Sequence, residues 1–177
     1  MATIVEKQKN THDALKGDMG YSNVMQTPKI EKVTVTVGIG KVSDRNKVKL
    51  IKEKLALITG QRPVDCAAKQ SIAQFKLREG MLIGYKVTLR GKRMNLFLDK
   101  LINVAIPRTR DFRGLNITSV DEMGNMSIGI KENTIFPETS DEDLRDVFGM
   151  NITITTSAKS KEEAQAYFKH MGIPFKK

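Results

Sequence analysis

The chain has one cysteine, two histidines and no tryptophan in 177 residues. A lone thiol, Cys66, excludes an internal disulfide, and with only His12 and His170 beside it a zinc site has too few ligands. Cys66 is expected to be a small buried residue. No apolar run approaches the ~20 residues that a membrane-spanning helix requires. The opening stretch, MATIVEKQKNTHDALKGD, lacks the apolar core of a secretory signal, so a cytoplasmic protein with no membrane partner is expected. Aromatic residues make up 6% of the chain, too few for base stacking to dominate recognition of a nucleic acid.

Catalytic signatures are missing as well. GIGK at 38–41 has Ser43 where a dinucleotide fingerprint needs its third glycine, and it lacks the Lys-Ser/Thr pair of a phosphate loop. It reads as a turn ending a strand. Neither histidine has a nucleophile or carboxylate partner at a recognisable spacing. His170, near the end of the last helix, is expected to cap the negative end of that helix's dipole. The acidic run ETSDEDLRD at 138–146 has no glycine at the turn position of a calcium loop. It reads as a solvated helix start or as a contact for a basic protein. No enzyme, metal or cofactor is expected.

What the chain has in quantity is positive charge, unevenly placed. The formal net charge is +10; residues 1–68 contribute +5, residues 69–113 contribute +8, and residues 114–177 contribute −3. Clustering of this kind favours a polyanionic partner, because each neutralised phosphate releases condensed counterions. The acidic final third points to a second surface of opposite character.

Periodicity supplies the elements. The first ~20 residues are polar and weakly periodic, a frayed helix or an arm. KIEKVTVTVGIG (29–40) alternates polar residues with Ile30, Val33, Val35 and Val37, a strand ended by glycines. Val48, Ile51, Leu55 and Ile58 then recur at helical spacing, from a Ser43/Asp44 start to a stop at Gly60. Residues 61–75 read as short extended pieces with a turn. GYKVTLRG (84–91) is a strand with Tyr85, Val87 and Leu89 on one face and Lys86, Thr88 and Arg90 on the other. Met94, Phe97, Leu98, Leu101 and Ala105 mark a second amphipathic helix, closed by Pro107, and PRTRDFRGL (107–115) is irregular. MSIGI (126–130) and NITITTSA (151–158) are late strands. Ser160 with Glu163 forms a capping box for a final helix whose buried stripe is Ala164, Tyr167, Phe168 and Met171. Strands and helices mixed without regular βαβ repetition give an α+β fold with a mostly antiparallel sheet, helices packed on one face, a protruding basic loop and a C-terminal helix. Residues 1–18 are read as an N-terminal arm and 19–177 as one domain.

The stretch LREGMLIGYKVTLRGKR (77–93) concentrates the chemistry. Its strand face sets Lys86, Thr88 and Arg90 at a repeat of ~6.6–6.8 Å, close to the separation of successive phosphates along one nucleic-acid strand. Gly80 and Gly84 bracket Met81, Leu82 and Ile83. These three form either an apolar loop tip between Arg78 and Lys86, suited to a sugar or base surface, or a hairpin folded back on the core. Arg108, Arg110 and Arg113 surround Phe112. They hold a phosphate or carboxylate bidentately, or they solvate the rim of a core Phe112. With no aromatic RNP consensus and no GxxG clamp, helical RNA read through its backbone and 2′-hydroxyls fits best. An RNA-acting enzyme would need a titratable cluster in the basic cleft, and a DNA-architectural factor would bind duplex DNA as tightly as RNA.

Five blocks carry a resemblance: LALITGQRPVDCAAKQS (55–71), LREGMLIGYKVTLRGKRM (77–94), IPRTRDFRGL (106–115), IFPE (135–138) and NITITTSAKS (151–160). Together, and in this order, they resemble the bacterial large-subunit ribosomal protein family that binds 5S ribosomal RNA, the fifth protein of that subunit. The likeness runs from about Gly20 to Lys177. It implies a structural constituent of the large subunit whose sheet face binds 5S RNA at the central protuberance beside 23S RNA. It further implies a protruding loop touching peptidyl-site transfer RNA and a bridge to a basic small-subunit protein. The ribosomal RNA contacts so implied are Thr36, Gln61, Lys69, Ser71, Lys86, Thr88 and Arg90. The transfer-RNA loop corresponds to about Gln74–Gly84, with Lys76, Arg78, Gly80, Met81, Leu82 and Gly84. The small-subunit side would use Arg110, Arg113, Glu138, Asp141 and Glu142. Three departures stand out: Thr36 where the family usually has Asn, Leu82 where it often has Pro, and a shortened or scrambled segment before GYSNVMQTPK. Thr36 keeps one donor and acceptor but lacks the two-donor fork of an amide.

Overall fold

A computed structural model describes residues 3–40, 44–140 and 147–176. Among them are four α-helices and five strands, in chain order α1 (Ile4–Met19), β1 (Ile30–Gly38), α2 (Arg45–Thr59), β2 (Val64–Ala67), β3 (Leu82–Leu89), α3 (Gly91–Lys100), β4 (Met126–Ile130), β5 (Met150–Thr156) and α4 (Lys161–Met171). The strands form one antiparallel sheet in the order β2-β3-β1-β5-β4. The chain divides into two compact units. A terminal unit comprises residues 1–33, 90–128 and 153–177, and a central unit comprises residues 34–89 and 129–152.

In the terminal unit, α4 buries the stripe its spacing predicts. Ala164, Tyr167 and Phe168 are fully buried and Met171 almost so, each large side chain contributing about 1.5–3 kcal/mol of transfer free energy. Half of the expected capping box is present. Ser160 Oγ accepts from the Glu163 N–H, but the Glu163 carboxylate reaches one residue further back, to the Lys159 N–H at 2.7 Å, while also accepting from the Tyr21 hydroxyl at 2.6 Å. Tyr21 ionises well above its ordinary range because burial and the Glu163 carboxylate both disfavour a phenolate.

Of the two readings of the N-terminal segment, the helix is found. Thr3 and Glu6 make a reciprocal capping box, and Ile4, Thr11 and Leu15 are buried. Three inward positions in sixteen residues make a thin stripe, which explains the weak periodicity. α1 contacts α4 and α3. Lys7 Nζ donates to the Met171 carbonyl at 2.8 Å, and His170 Nε2 lies 3.0 Å from the Lys7 carbonyl. The end of α4 is thus capped by Lys7, and His170 binds the neighbouring helix instead of its own terminus. α3 runs on through a π-turn at Leu101–Ala105 and a 3₁₀ turn at Ile106–Arg108. Leu101 and Ala105 stay buried, as their spacing predicts.

In the central unit, Asp44 caps α2 by accepting from the Asn46 N–H. Gly60 closes it in the left-handed region, at φ 66°, where a side chain would be strained. β1 buries Val35 and Val37, and β3 buries Tyr85, Val87 and Leu89. Cys66 departs from expectation: β2 is an edge strand with exposed or half-exposed positions throughout, and Cys66 is half-buried. An edge strand has a neighbour on one side only, so apolar character alone does not bury a residue there. No helix among the described residues is long and apolar enough to cross a membrane.

Candidate nucleic-acid interface

In the central unit, β1, β3 and the start of β5 each have a buried face and an open one. On the open face of β1, Thr34 and Thr36 are half-exposed; on β3, Lys86 is exposed and Thr88 half-exposed; on β5, Asn151 is exposed. Strand register extends this surface, since paired residues share a face. Val64 pairs with Lys86 and Cys66 with Gly84, whereas Asp65 pairs with Tyr85 on the opposite side. The one acid of β2 is therefore turned away from Lys86. There Asp65 accepts from Lys52 Nζ at 2.6 Å, and the same ammonium lies 5.5 Å from the Tyr85 ring centroid. Tyr85 has its ionisation pushed up by burial and by Asp65, against a smaller opposing pull from Lys52.

The open face is braced from beneath by backbone-directed hydrogen bonds. Thr36 Oγ1 donates to the Asn151 carbonyl at 3.4 Å, and Gln61 Nε2 donates to the Thr88 carbonyl at 3.2 Å. Gln61 is placed by the end of α2: it follows Gly60, and its own carbonyl accepts from the buried Thr59 hydroxyl. Thr36, Gln61, Lys86 and Thr88 are thus carried by rigid elements of one unit. Lys86 and Thr88 have no side-chain partner among the described residues, so their donors remain available to a ligand. Arg90 is exposed and extended (φ −140°, ψ 162°), directly after β3, and opens α3 in the terminal unit. Lys69 and Ser71 lie beyond β2, both exposed; Ser71 Oγ accepts from the Glu79 N–H at 2.9 Å and so pins a hairpin.

That hairpin corrects the placement of the loop tip. Leu82, Ile83 and Gly84 belong to β3. A Cβ on Gly84 would fall 2.7 Å from the Val37 carbonyl oxygen, so this glycine permits β3 to lie close to β1. The ladder continues outward through Ala68 N–H to Met81 O and a mutual pair between Ile72 and Leu77. The tip is the 3₁₀ turn Ala73–Phe75 followed by Lys76, which sits in the left-handed region at φ 53°. Phe75 is 66% exposed there and Met81 50% exposed, with Arg78 exposed and Gly80 at φ 80°. Phe75 is legible in the sequence only as an apolar residue in a short extended stretch; its position at the tip depends on the Ile72–Leu77 bridge.

The residues assigned to a small-subunit contact are not gathered into one unit. Arg110 and Arg113 are exposed in the terminal unit, flanking a half-buried Phe112. Glu138 is exposed in the central unit within a 3₁₀ turn. Asp141 and Glu142, with the rest of the acidic run to Asp146, lie outside the described residues. No group of three potential metal ligands occurs among the described residues. Asn151 and Thr34 were missed as site residues, although the alternation in VTVTV and NITIT places them on the face of Thr36.

Comparison with known proteins gives this surface its context. The family described as "Ribosomal protein L5" matches residues 23–78, and the C-terminal model of the same ribosomal family matches residues 82–175. The large ribosomal subunit protein uL5 of Natranaerobius thermophilus is 49% identical over 177 residues, covering 99% of both chains. That of Geobacter sulfurreducens is 51% identical over 169 residues, covering 95% of this chain and 94% of the relative. The Spiroplasma kunkelii protein of the same name is 52% identical over 176 residues, covering 98% of both. With two family matches spanning nearly the whole chain and identities near one half, the chain belongs to the uL5 family of large-subunit ribosomal proteins, structural and non-enzymatic components of the ribosome.

Proposed function

We propose that, within the large ribosomal subunit, the open face of the central unit docks 5S ribosomal RNA. Support comes from one observation above all: a face of Thr34, Thr36, Lys86, Thr88 and Asn151, backed by buried Val, Tyr and Leu, from which the neighbouring Asp65 is turned away. Hydroxyls and amides on a rigid pleat suit 2′-hydroxyls and phosphates of helical RNA, and lysine supplies the counterion-release term. Gln61, Lys69, Ser71 and Arg90 extend the contact, and 23S RNA is the second ribosomal RNA partner. The Phe75–Lys76 tip with Arg78 offers an apolar group between cations, the chemistry that fits the peptidyl-site transfer RNA. Arg110, Arg113 and Glu138, together with Asp141 and Glu142, would meet a basic small-subunit protein.

The reading is tested by affinity for 5S RNA, unrelated RNA and duplex DNA across salt. With ~5 phosphates neutralised, log K falls by several units per decade of salt for every polyanion. A large preference for 5S RNA that persists at ~0.2 M salt is expected; equal affinity for duplex DNA would overturn the reading.

A further inference from the structure

The terminal unit contains a groove of about 390 Å³ with no carboxylate among its lining residues. Lys9 and His12 of α1 form one wall, the Val24–Lys29 segment another, and Lys159 closes the rim. Three lysines without ion-pair partners among the described residues make this rim cationic. Its lip is apolar: Met25 is 89% exposed and Val24 64% exposed, beside a buried Pro28. Two lining residues also hold a polar atom that is shielded from water and has no hydrogen-bond partner, His12 Nε2 and Thr27 Oγ1. Such atoms cost free energy in the free protein, and a ligand whose entry turns them toward the groove recovers it by exchanging hydrogen bonds with them. The opposite ring nitrogen of His12, Nδ1, lies 3.3 Å from the exposed Asp13 carboxylate.

A cationic rim, an apolar lip and unmet hydrogen-bonding groups in a site within the size range of small-ligand pockets form a combination with one economical occupant. We propose that this groove receives one unstacked nucleotide of ribosomal RNA, its base against Met25 and Pro28 and its phosphate on Lys9, Lys29 and Lys159. A simple anion would use the lysines and leave the lip without a function. An acidic peptide would use the lysines too, but it offers no flat heterocycle to the lip. Methionine suits this role because its flexible, polarisable side chain conforms to a base face, and unpaired nucleotides are the part of folded RNA that proteins read with shape. The inference rests on the ribosomal reading above but uses a different unit from the 5S-binding face.

The test uses the full chain and amide-resolved NMR titration with each of the four nucleoside 5′-monophosphates, with inorganic phosphate and with a glutamate-rich peptide. Shifts confined to residues 8–12, 24–29 and 157–159 are expected from at least one nucleotide, with those at Val24, Met25 and Thr27 absent when phosphate or the peptide is the probe. The Lys29→Glu chain should lose those shifts tenfold or more in apparent affinity, with 5S RNA binding through the sheet face retained. Thr27→Val, which removes the unmet hydroxyl without changing shape, should weaken the same shifts without altering the spectrum elsewhere. Identical shifts with phosphate or with the peptide would overturn the nucleotide assignment, as would an unresponsive groove. A chain whose groove is silent but whose Lys86→Glu form still loses 5S RNA refutes this inference alone. Unchanged 5S affinity in Lys86→Glu refutes the sheet-face reading instead.

Discussion

Two sets of polar side chains, one from each unit, are used in opposite ways. The terminal set is committed inward. Lys7 caps α4, His170 binds the α1 backbone, Tyr21 donates to Glu163, Asp99 accepts from the Ile4 N–H, and the buried Thr156 hydroxyl donates to the Gly124 carbonyl. In the central unit, Thr36 and Gln61 also bond to the backbone, but the Lys86 and Thr88 side chains on β3 have no partner among the described residues. Polar groups spent on internal hydrogen bonds build an element; those held on a rigid strand and left unspent can bind. The difference separates side chains that build the fold from side chains that can dock RNA.

Reversing charge at the outward-facing positions should break this contrast most severely. The double substitution Lys86→Glu, Arg90→Glu is expected to lower 5S RNA affinity by about three orders of magnitude, to the level of non-specific binding. The salt slope should fall by about two, one per lost phosphate contact. Filter binding across salt measures both, and an unchanged melting temperature separates binding from folding.

Next in size is Gly84→Ala. The added methyl meets the Val37 carbonyl at 2.7 Å, and forcing the strands apart should cost about 1–3 kcal/mol, seen as a lower urea midpoint. This substitution tests whether Gly84 serves strand packing: a merely flexible loop residue would leave stability unchanged.

The smallest effect is confined to alkaline solution and to the terminal unit. Burial pushes Tyr167 up to about 12 from its ordinary value near 10. The unfolded chain releases this proton first, so between about pH 10 and 12 the unfolded state binds fewer protons and stability falls as pH rises. Below pH 10 the contribution is constant. The loss from this group should be on the order of 2 kcal/mol by pH 12, and Tyr167→Phe should make that part of a urea-derived stability profile less steep, with the contributions of Tyr21 and Tyr85 remaining.

Much of this contrast is legible in the residues themselves. Alternation in VTVTV and YKVTL sets both faces of β1 and β3, because a two-residue period leaves little choice of which side is buried. The α4 stripe is equally plain, since Tyr167, Phe168 and Met171 lie at helical spacing beside a Ser cap. Long-range partners are not legible. Spacing makes Glu163 a local cap, but one of its carboxylate oxygens serves Tyr21, 142 residues away in sequence. Position in the chain likewise assigns His170 to its own helix terminus, and composition assigns Cys66 to a core that an edge strand does not provide. One of the two readings of the sequence puts a loop tip at Met81–Ile83, whereas the structure has the tip at Ala73–Lys76, because the Ile72–Leu77 bridge has no compositional mark and the glycines around Met81 imitate a turn.

The central claim is that Lys86 lies beneath bound 5S RNA while Lys169, exposed on α4, does not. Acylation of lysine amines in the free protein and in its 5S RNA complex, read by mass spectrometry, measures this directly, with exposed Lys169 on α4 as the internal reference. The account predicts that Lys86 becomes unreactive in the complex while Lys169 reacts as before. Lys86 modified at the same rate with and without RNA would contradict it.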